Sequence, residues 1–247
     1  MARPRIIVLA ASAVALLLAG CGAAPEPGAI RVGAASSLTE ALTAMAADYT
    51  GGDVSLTFGA SSSLVEQVHQ GAPIDVVAVA DHATLTRLVE GGDTATGPVV
   101  VARNRLTVVV PRGNPKQIGG LADLGRAGLL VALCAPEVPC GRLATEALRR
   151  AGTEVVPTST EDNVKAVVAR IALGQADAGV AYVTDVRAED KVEGVALGIP
   201  EDASLEAVYS MVVTRQARDR DAGRAFVAFV GSAAGRRELA RFGFLAP

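Results

Sequence analysis

Short apolar stretches rich in valine and isoleucine alternate along most of the chain with segments whose apolar residues recur every three or four positions. A buried strand produces the first pattern, and a helix packed on one face produces the second. The alternation predicts an α/β fold in which mostly parallel sheets are flanked by helices. The predicted strands cover residues 30–34, 54–58, 74–80, 105–110, 129–133, 155–156, 178–183 and 207–213.

Helix starts are predicted from capping residues. Ser37 and Glu40 have the spacing of a capping box, in which the two side chains bond to backbone groups of the first turn, and Ser63 and Glu66 repeat that spacing. Asp81 is a plausible cap for a third helix, which ends at two glycines. Later helices are predicted over residues 141–151, 164–173, 222–230 and 236–242.

The number of strand and helix units exceeds what one small sheet requires, and long extended segments occur near Arg105 and Ala207. These features predict two lobes joined by two crossing segments. The first lobe would comprise residues 29–104 and 214–247, and the second residues 105–213. In such folds ligands bind at the carboxyl ends of the strands, where helix N-termini point.

The N-terminus has the pattern of an export signal. Two arginines precede an apolar run that ends in the tetrapeptide LAGC, and the run is shorter than the ~20 residues that a membrane-spanning helix needs. The tetrapeptide resembles the lipobox of bacterial lipoproteins, which implies cleavage after residue 20 and lipidation of Cys21. Residues 21–28 are predicted to form a short tether. The alternative is a soluble secreted protein in which the cysteine has no such role.

Composition and charge narrow the classes of ligand. The formal net charge of −3 includes Arg3 and Arg5, so their removal with the signal leaves −5. Binding to nucleic acid is not expected, because its phosphates attract clustered Lys and Arg, and the basic residues here are scattered among as many acids. The chain has no Trp and 3% aromatic residues, which disfavours sugars that stack on aromatic rings.

Two serine clusters, at residues 36–37 and 61–63, each lie between a predicted strand and a predicted helix. The first backbone N–H groups of a helix lack intrahelical partners, and the helix dipole favours an anion there. The serines could simply cap the helices. Because two clusters occur in equivalent places without a neighbouring Lys or Arg, they favour a site that binds an anion through neutral donors.

The chain resembles the molybdate-binding proteins of ABC importers, which have the two-lobed type II periplasmic-binding-protein fold. The resemblance covers nearly all of the mature chain and rests on the motifs AASSLT (34–39), FGASSSL (58–64), GAPIDV (71–76), PEVPCG (136–141), EDNV (161–164), GVAY (179–182) and RFGF (241–244). It implies a binding protein, not an enzyme, that captures molybdate or tungstate without a cofactor and delivers it to a permease and its ATPase. It further implies a monomer that is exported and lipid-anchored at the outer face of the cytoplasmic membrane.

The resemblance assigns the oxyanion contacts to five positions of this chain. Ser37 and Ser61 would donate through hydroxyl and backbone groups, Cys140 and Val164 through backbone N–H groups, and Tyr182 through its hydroxyl. Molybdenum would be held only as this oxyanion. From the residues alone, Val164 would be a core valine and Tyr182 a core or interlobe tyrosine. Cys140 stands where the family more often has alanine, which a backbone contact tolerates.

Cys134 and Cys140 favour a disulfide, because the chain is exported and disulfides persist outside the cytoplasm; two buried thiols are the alternative. A zinc site is not expected, since neither His69 nor His82 has a metal-site spacing with the cysteines.

Two other functions remain open. A serine hydrolase is disfavoured because the chain has no Gly-x-Ser-x-Gly elbow and no evident base for a serine. A binding protein for another tetrahedral oxyanion is closer. Protonated phosphate would gain from an acceptor carboxylate, which none of the five contact positions supplies, whereas sulfate matches molybdate in charge and shape and differs mainly in size.

Overall fold

The computed structural model describes residues 28–247, so the predicted signal, most of the tether and Cys21 lie outside the described residues. Within residues 28–247 the chain forms the nine strands β1 (Ile30–Ala35), β2 (Val54–Gly59), β3 (Val76–Val79), β4 (Val99–Pro111), β5 (Val131–Cys134), β6 (Ser159–Glu161), β7 (Ala178–Tyr182), β8 (Val192–Val195) and β9 (Glu206–Val213).

The same residues form eight α-helices, most of which follow a strand directly. They are α1 (Thr39–Asp48), α2 (Ser61–His69), α3 (His82–Glu90), α4 (Pro139–Ala151), α5 (Val164–Ala172), α6 (Val183–Arg187), α7 (Arg220–Gly231) and α8 (Ala233–Arg241). A single turn of 3₁₀ helix, Ser36–Leu38, connects β1 to α1. None of the helices in the described part of the chain is long and apolar enough to cross a membrane.

The strands follow the order β2-β1-β3-β9-β4-β7-β5-β6, and β8 pairs with β4. The pairs β1–β2, β1–β3, β5–β6 and β5–β7 are parallel, whereas β4, β8 and β9 run antiparallel to their neighbours. We call β1, β2, β3 and β9 the first half of the sheet and β5, β6, β7 and β8 the second half. The structure therefore has the predicted α/β architecture, with parallel strands at the centre of each half.

The long strand β4 joins the two halves. Residues 99–105 pair with β9, and residues 106–111 pair with β7 and β8. The predicted lobe boundary at residue 105 thus lies where β4 changes partners. The other crossing segment, β9, also pairs with β3 of the first half. The division of the whole chain between two lobes stays a prediction.

The helices cover the sheet with apolar side chains. Leu64 and Val68 of α2 and Leu88 of α3 are buried against Val77 and Val212 in one cluster. A larger cluster continues through both halves of the sheet. Burying a side chain of this size contributes roughly 1.5–3 kcal/mol, so these layers hold the strand ends in place.

Two local predictions were wrong. No strand forms at 155–156, where Val156 is 94% exposed; the polar segment Ser159–Glu161 pairs with β5 instead. The pairing of an edge strand depends on backbone register, and register cannot be predicted from two adjacent valines. The prediction also lacked α6 and β8, which are too short for a periodic pattern.

Both predicted capping boxes were also wrong, although the Asp81 cap is confirmed by its bond from the Thr84 N–H at 2.9 Å. Neither α1 nor α2 has a side-chain cap. Glu40 instead accepts from Lys165, and Glu66 accepts from Gln70. These glutamates find partners outside the first turn, so the serines before them are left for other contacts.

Candidate functional site

Six strand-to-helix connections meet at one cavity. They follow β1, β2, β3, β5, β6 and β7, so the cavity lies at the carboxyl ends of parallel strands from both halves of the sheet. Its walls are formed by Ala35, Ser36, Ser37, Gly59, Ala60, Ser61, Ala80, Val138, Pro139, Cys140, Asn163, Val164 and Tyr182. All five residues that the sequence predicted for the site are brought together here, and each comes from a different connection.

Ser37 is held by a polar chain that the sequence did not predict. Its Oγ lies 2.8 Å from the hydroxyl of Tyr209, and both side chains are buried. The amide of Asn104 lies 3.4 Å from the Tyr209 hydroxyl and 2.7 Å from Oγ1 of Thr184, donating to both. When the Tyr209 hydroxyl accepts from Asn104, its own proton points to Ser37, and Ser37 can donate its proton into the cavity. Burial raises the pKa of Tyr209, which keeps this hydroxyl protonated.

Ser61 begins α2 and has a similar arrangement. The backbone N–H of Ala80 donates to its Oγ at 3.0 Å. An acceptor role toward Ala80 leaves the hydroxyl proton free for a group inside the cavity. Ser61 is 1% exposed, so little bulk water competes with a ligand for that proton.

Cys140 lies in the first turn of α4, directly after Pro139. The structure contains the predicted disulfide between Cys134 and Cys140, which ties the end of β5 to this turn. The next residue must be small, because a Cβ on Gly141 would lie 1.8 Å from the carbonyl oxygen of Ala135. The disulfide and the close backbone approach together position the Cys140 N–H, which a helix cannot satisfy internally.

Val164 is the first residue of α5, and its side chain is buried. The preceding Asn163 caps the helix by accepting from the Ala166 N–H at 3.1 Å. Because the cap satisfies a donor deeper in the first turn, the Val164 N–H remains at the cavity wall. Val164 thus has the buried side chain that periodicity indicated, and it begins a helix at the cavity wall, where a backbone N–H has no intrahelical partner.

Tyr182 ends β7 and is 1% exposed. Its hydroxyl has no hydrogen-bond partner among residues 28–247. Burial raises its pKa well above the ordinary value of a tyrosine, so the hydroxyl stays protonated. A buried polar group without a partner costs about 1–3 kcal/mol, and an acceptor placed in the cavity would remove that cost.

None of the residues that line the cavity carries a charged side chain. Charged groups lie just behind the walls, where they are paired: Arg142 with Asp81, and Lys165 with both Glu40 and Asp185. Burial raises the pKa of Asp185 to about 7, although the Lys165 ammonium opposes the shift. The N-termini of α2, α4 and α5 supply partial positive charge instead of a counter-ion.

The cavity is small, with a volume of about 20 Å³. Pockets for organic ligands typically have roughly 300–1,000 Å³. No histidine lines the cavity, so Ser37 and Ser61 have no imidazole base at its walls. Within residues 28–247 no group of His, Cys, Asp or Glu side chains is arranged to hold a metal ion. The arrangement suits a small anion held by hydroxyl and backbone donors.

Comparison with known proteins agrees with this geometry. Residues 30–245 match the family described as bacterial extracellular solute-binding protein. The molybdate-binding protein ModA of Mycobacterium tuberculosis is 38% identical over 251 residues, which cover 94% of this chain and 95% of that protein.

Two solved structures show the same fold. The periplasmic molybdate-binding protein of Azotobacter vinelandii matches with a TM-score of 0.73 at 20% identity, over 88% of this chain and 99% of that one. The sulfate-binding protein SubI from Mycobacterium tuberculosis matches with a TM-score of 0.69 at 20% identity, over 87% and 86%. Since the fold is shared by proteins named for different oxyanions, the residues of the cavity must decide the ligand.

Proposed function

Because this chain belongs to the family of bacterial extracellular solute-binding proteins, we propose that it captures molybdate, and tungstate equally well, for an ABC importer. The observation that carries the proposal is the buried, unpartnered hydroxyl of Tyr182 in a cavity that otherwise presents serine hydroxyls and helix N-termini. In the proposed complex Ser37, Ser61 and Tyr182 donate hydroxyl protons, and Cys140 and Val164 donate backbone N–H groups.

The chemistry of the walls favours a fully ionised oxyanion. A protonated phosphate would need an acceptor for its own proton, and none of the wall residues carries a carboxylate. An organic or amino acid would normally be held by a charged side chain, which the walls also lack. Molybdate and tungstate are tetrahedral dianions that carry acceptors only, so every donor of the cavity can be used.

Sulfate is the second candidate, since it has the same charge and shape and the fold is shared with a sulfate-binding protein. The 38% identity to a protein named for molybdate favours the larger oxyanion. Donors spaced for molybdate would leave sulfate with stretched hydrogen bonds, and each bond to a charged group contributes about 1.5–3 kcal/mol when well made.

Calorimetric titration of the mature protein with molybdate, tungstate, sulfate and phosphate tests this assignment. We expect similar Kd values for molybdate and tungstate, and a Kd for sulfate at least about a hundredfold higher, because two poor bonds already have that effect. Phosphate should bind more weakly still at neutral pH. Equal affinity for sulfate and molybdate, or no heat with molybdate and tungstate, would contradict the proposal.

We further propose that the protein acts as a monomer tethered to the outer face of the cytoplasmic membrane, where it passes its ligand to a permease and ATPase. The family is extracellular, and the chain is exported. The proposed anchor rests on the sequence LAGC at residues 18–21. Acyl chains on Cys21 would hold the protein at the bilayer by burying their methylenes, and more than one chain makes such anchoring stable.

Replacing Cys21 with Ala tests the anchor. The wild type should remain with the membrane fraction after a high-salt wash, whereas Cys21→Ala should be released or should retain its uncleaved signal, because the lipidated atom is gone. Immunoblotting of fractions reports both outcomes, and Ser12→Ala, within the apolar run, is the control that should behave like the wild type. A processed Cys21→Ala protein that still withstands the wash in the membrane fraction would rule out this anchor.

A further inference from the structure

Two ion pairs connect the halves of the sheet beside the cavity. Arg142 is in α4 of the second half, and its Nε donates to the carboxylate of Asp81 at 2.7 Å. Asp81 precedes α3 in the first half and follows Ala80, which lines the cavity. The same guanidinium donates to Oγ1 of Thr84 at 2.7 Å and to the carbonyl oxygen of Glu137. Arg142 therefore links the turn that presents Cys140 to the opposite half of the sheet.

Lys165 makes the second connection, on the α5 side of the cavity. Its ammonium donates to Glu40 of α1 at 2.6 Å, and it lies 3.3 Å from Oδ1 of Asp185 in α6. Glu40 belongs to the first half, whereas Lys165 and Asp185 belong to the second. Lys165 directly follows Val164, so this pair also acts on a segment that lines the cavity.

Both pairs are partly shielded from water. The side chain of Arg142 is 30% exposed and that of Asp81 14%, while Lys165 is 28% exposed and Glu40 39%. Fully exposed pairs contribute little, whereas truncating one partner of a shielded, hydrogen-bonded charge pair mainly raises the rate at which two surfaces separate. A ligand held between the two halves leaves more readily when those surfaces separate.

We propose that Arg142 with Asp81, and Lys165 with Glu40, are positioning residues that latch the two halves over the bound oxyanion and set its rate of release. The inference rests on the proposed function, because it needs a ligand in the cavity. The latch residues do not touch the ligand; they hold together the segments that do.

A competing explanation is that Asp81 serves only to neutralise the charge of Arg142. This explanation and the latch predict opposite results for Asp81→Asn. Asp81→Asn keeps a side chain that can cap α3, because Asn and Asp are equivalent caps, but it removes the charge that Arg142 binds. If Asp81 only neutralised Arg142, the freed cation would attract the dianion and tighten binding. If the pair is a latch, the variant releases the ligand faster.

The test measures association and release of radiolabelled molybdate, with release followed after a chase of excess unlabelled molybdate. We expect Arg142→Gln, Asp81→Asn and Lys165→Gln each to release the ligand about five- to twentyfold faster, with association within about twofold of the wild type. The double variant Asp81→Asn/Arg142→Gln should release no faster than about twice the faster single variant, because both changes break the same pair.

Two variants, one in α4 and one between β4 and β5, serve as matched controls. Arg149→Gln removes a cation from α4 whose partner, Glu146, lies on the same helix, and Lys116→Gln removes a lysine paired with Asp177. Neither pair crosses the cavity, so both variants should release molybdate at the wild-type rate.

The alternative outcomes separate the latch from the proposed function. Unchanged release in the three latch variants, tighter binding by Asp81→Asn, or slower association as the main effect of Arg142→Gln would each overturn the latch while molybdate binding stands. If the wild type does not bind molybdate at all, the proposed function fails and the latch fails with it.

Discussion

Tyr182→Phe and Ser61→Ala are each expected to weaken molybdate binding about tenfold to a hundredfold, and the double variant about a thousandfold. The Tyr182 hydroxyl has no partner in the described protein, so its hydrogen bond is available to the ligand without breaking another. Ser61 is oriented by the Ala80 N–H, which leaves its proton for the ligand. Calorimetric titrations of the wild type and each variant with molybdate would measure these losses.

Two hydroxyls outside the cavity provide matched controls for this prediction. Ser62→Ala changes the next residue of the same helix turn, which does not line the cavity, and Tyr49→Phe removes a phenol packed against Phe226. Both variants should retain wild-type affinity. Ser61→Ala also leaves the Ala80 N–H without its acceptor, so affinities should be compared at a temperature where every variant is folded. Undiminished affinity in the double variant would refute this site.

Asp185→Asn is expected to change the free energy of unfolding of the ligand-free protein in a pH-dependent way. The change at pH 8 should be about 2 kcal/mol more stabilising than the change at pH 5. The Asp185 side chain is fully buried, and burial raises its pKa to about 7, against about 4 in an unfolded chain. The folded state therefore holds this proton more tightly than the unfolded state. The contribution of this carboxyl to the free energy of unfolding is greatest below about pH 4, falls as the pH rises from about 4 to about 7, and is constant above that. Asparagine, which does not ionise, removes this loss.

Urea denaturation of the wild type and Asp185→Asn at several pH values between 5 and 8 checks the prediction. The difference between their free energies of unfolding should grow with pH by at most about 1.4 kcal/mol per unit and then become constant. Asp190→Asn, an exposed aspartate near the end of the same connection, is the control and should show no such growth. A pH-independent difference for Asp185→Asn would contradict the conclusion that burial raises the pKa of this carboxyl in the folded protein.

Ser37 and Ser61 were predictable from the residues because each follows a strand with a clear apolar pattern. Ser61 and Cys140 stand at such turns, and parallel strands of one sheet direct their carboxyl ends to the same edge. Tyr182 was harder, since a tyrosine at the end of an apolar strand is more often part of a core; its unpartnered hydroxyl is what distinguishes it. Asn163, which also lines the cavity, could have been found from its position as a helix cap.

The hydrogen-bond partner of Ser37 could not be predicted from the residues next to it in the sequence. Its spacing to Glu40 fits a capping box, but its hydroxyl bonds to Tyr209, which is 172 residues away in the sequence. Glu40 in turn bonds to Lys165, 125 residues away. A pattern of four residues contains no information about partners at such separations, so the long-range contact prevailed over the local one.

The sequence by itself determined the alternation of strands and helices, the positions of the connections that bear donors, and the absence of Lys and Arg beside the two serine clusters. These properties depend on residues close together in the chain, through periodicity and helix-end chemistry. Only the tertiary structure decided that the Tyr182 hydroxyl lacks a partner, that Tyr209 and Asn104 orient Ser37, and that Arg142 and Lys165 connect the two halves of the sheet. Those properties depend on burial and on contacts between distant segments, which exist only once the strands are assembled in register.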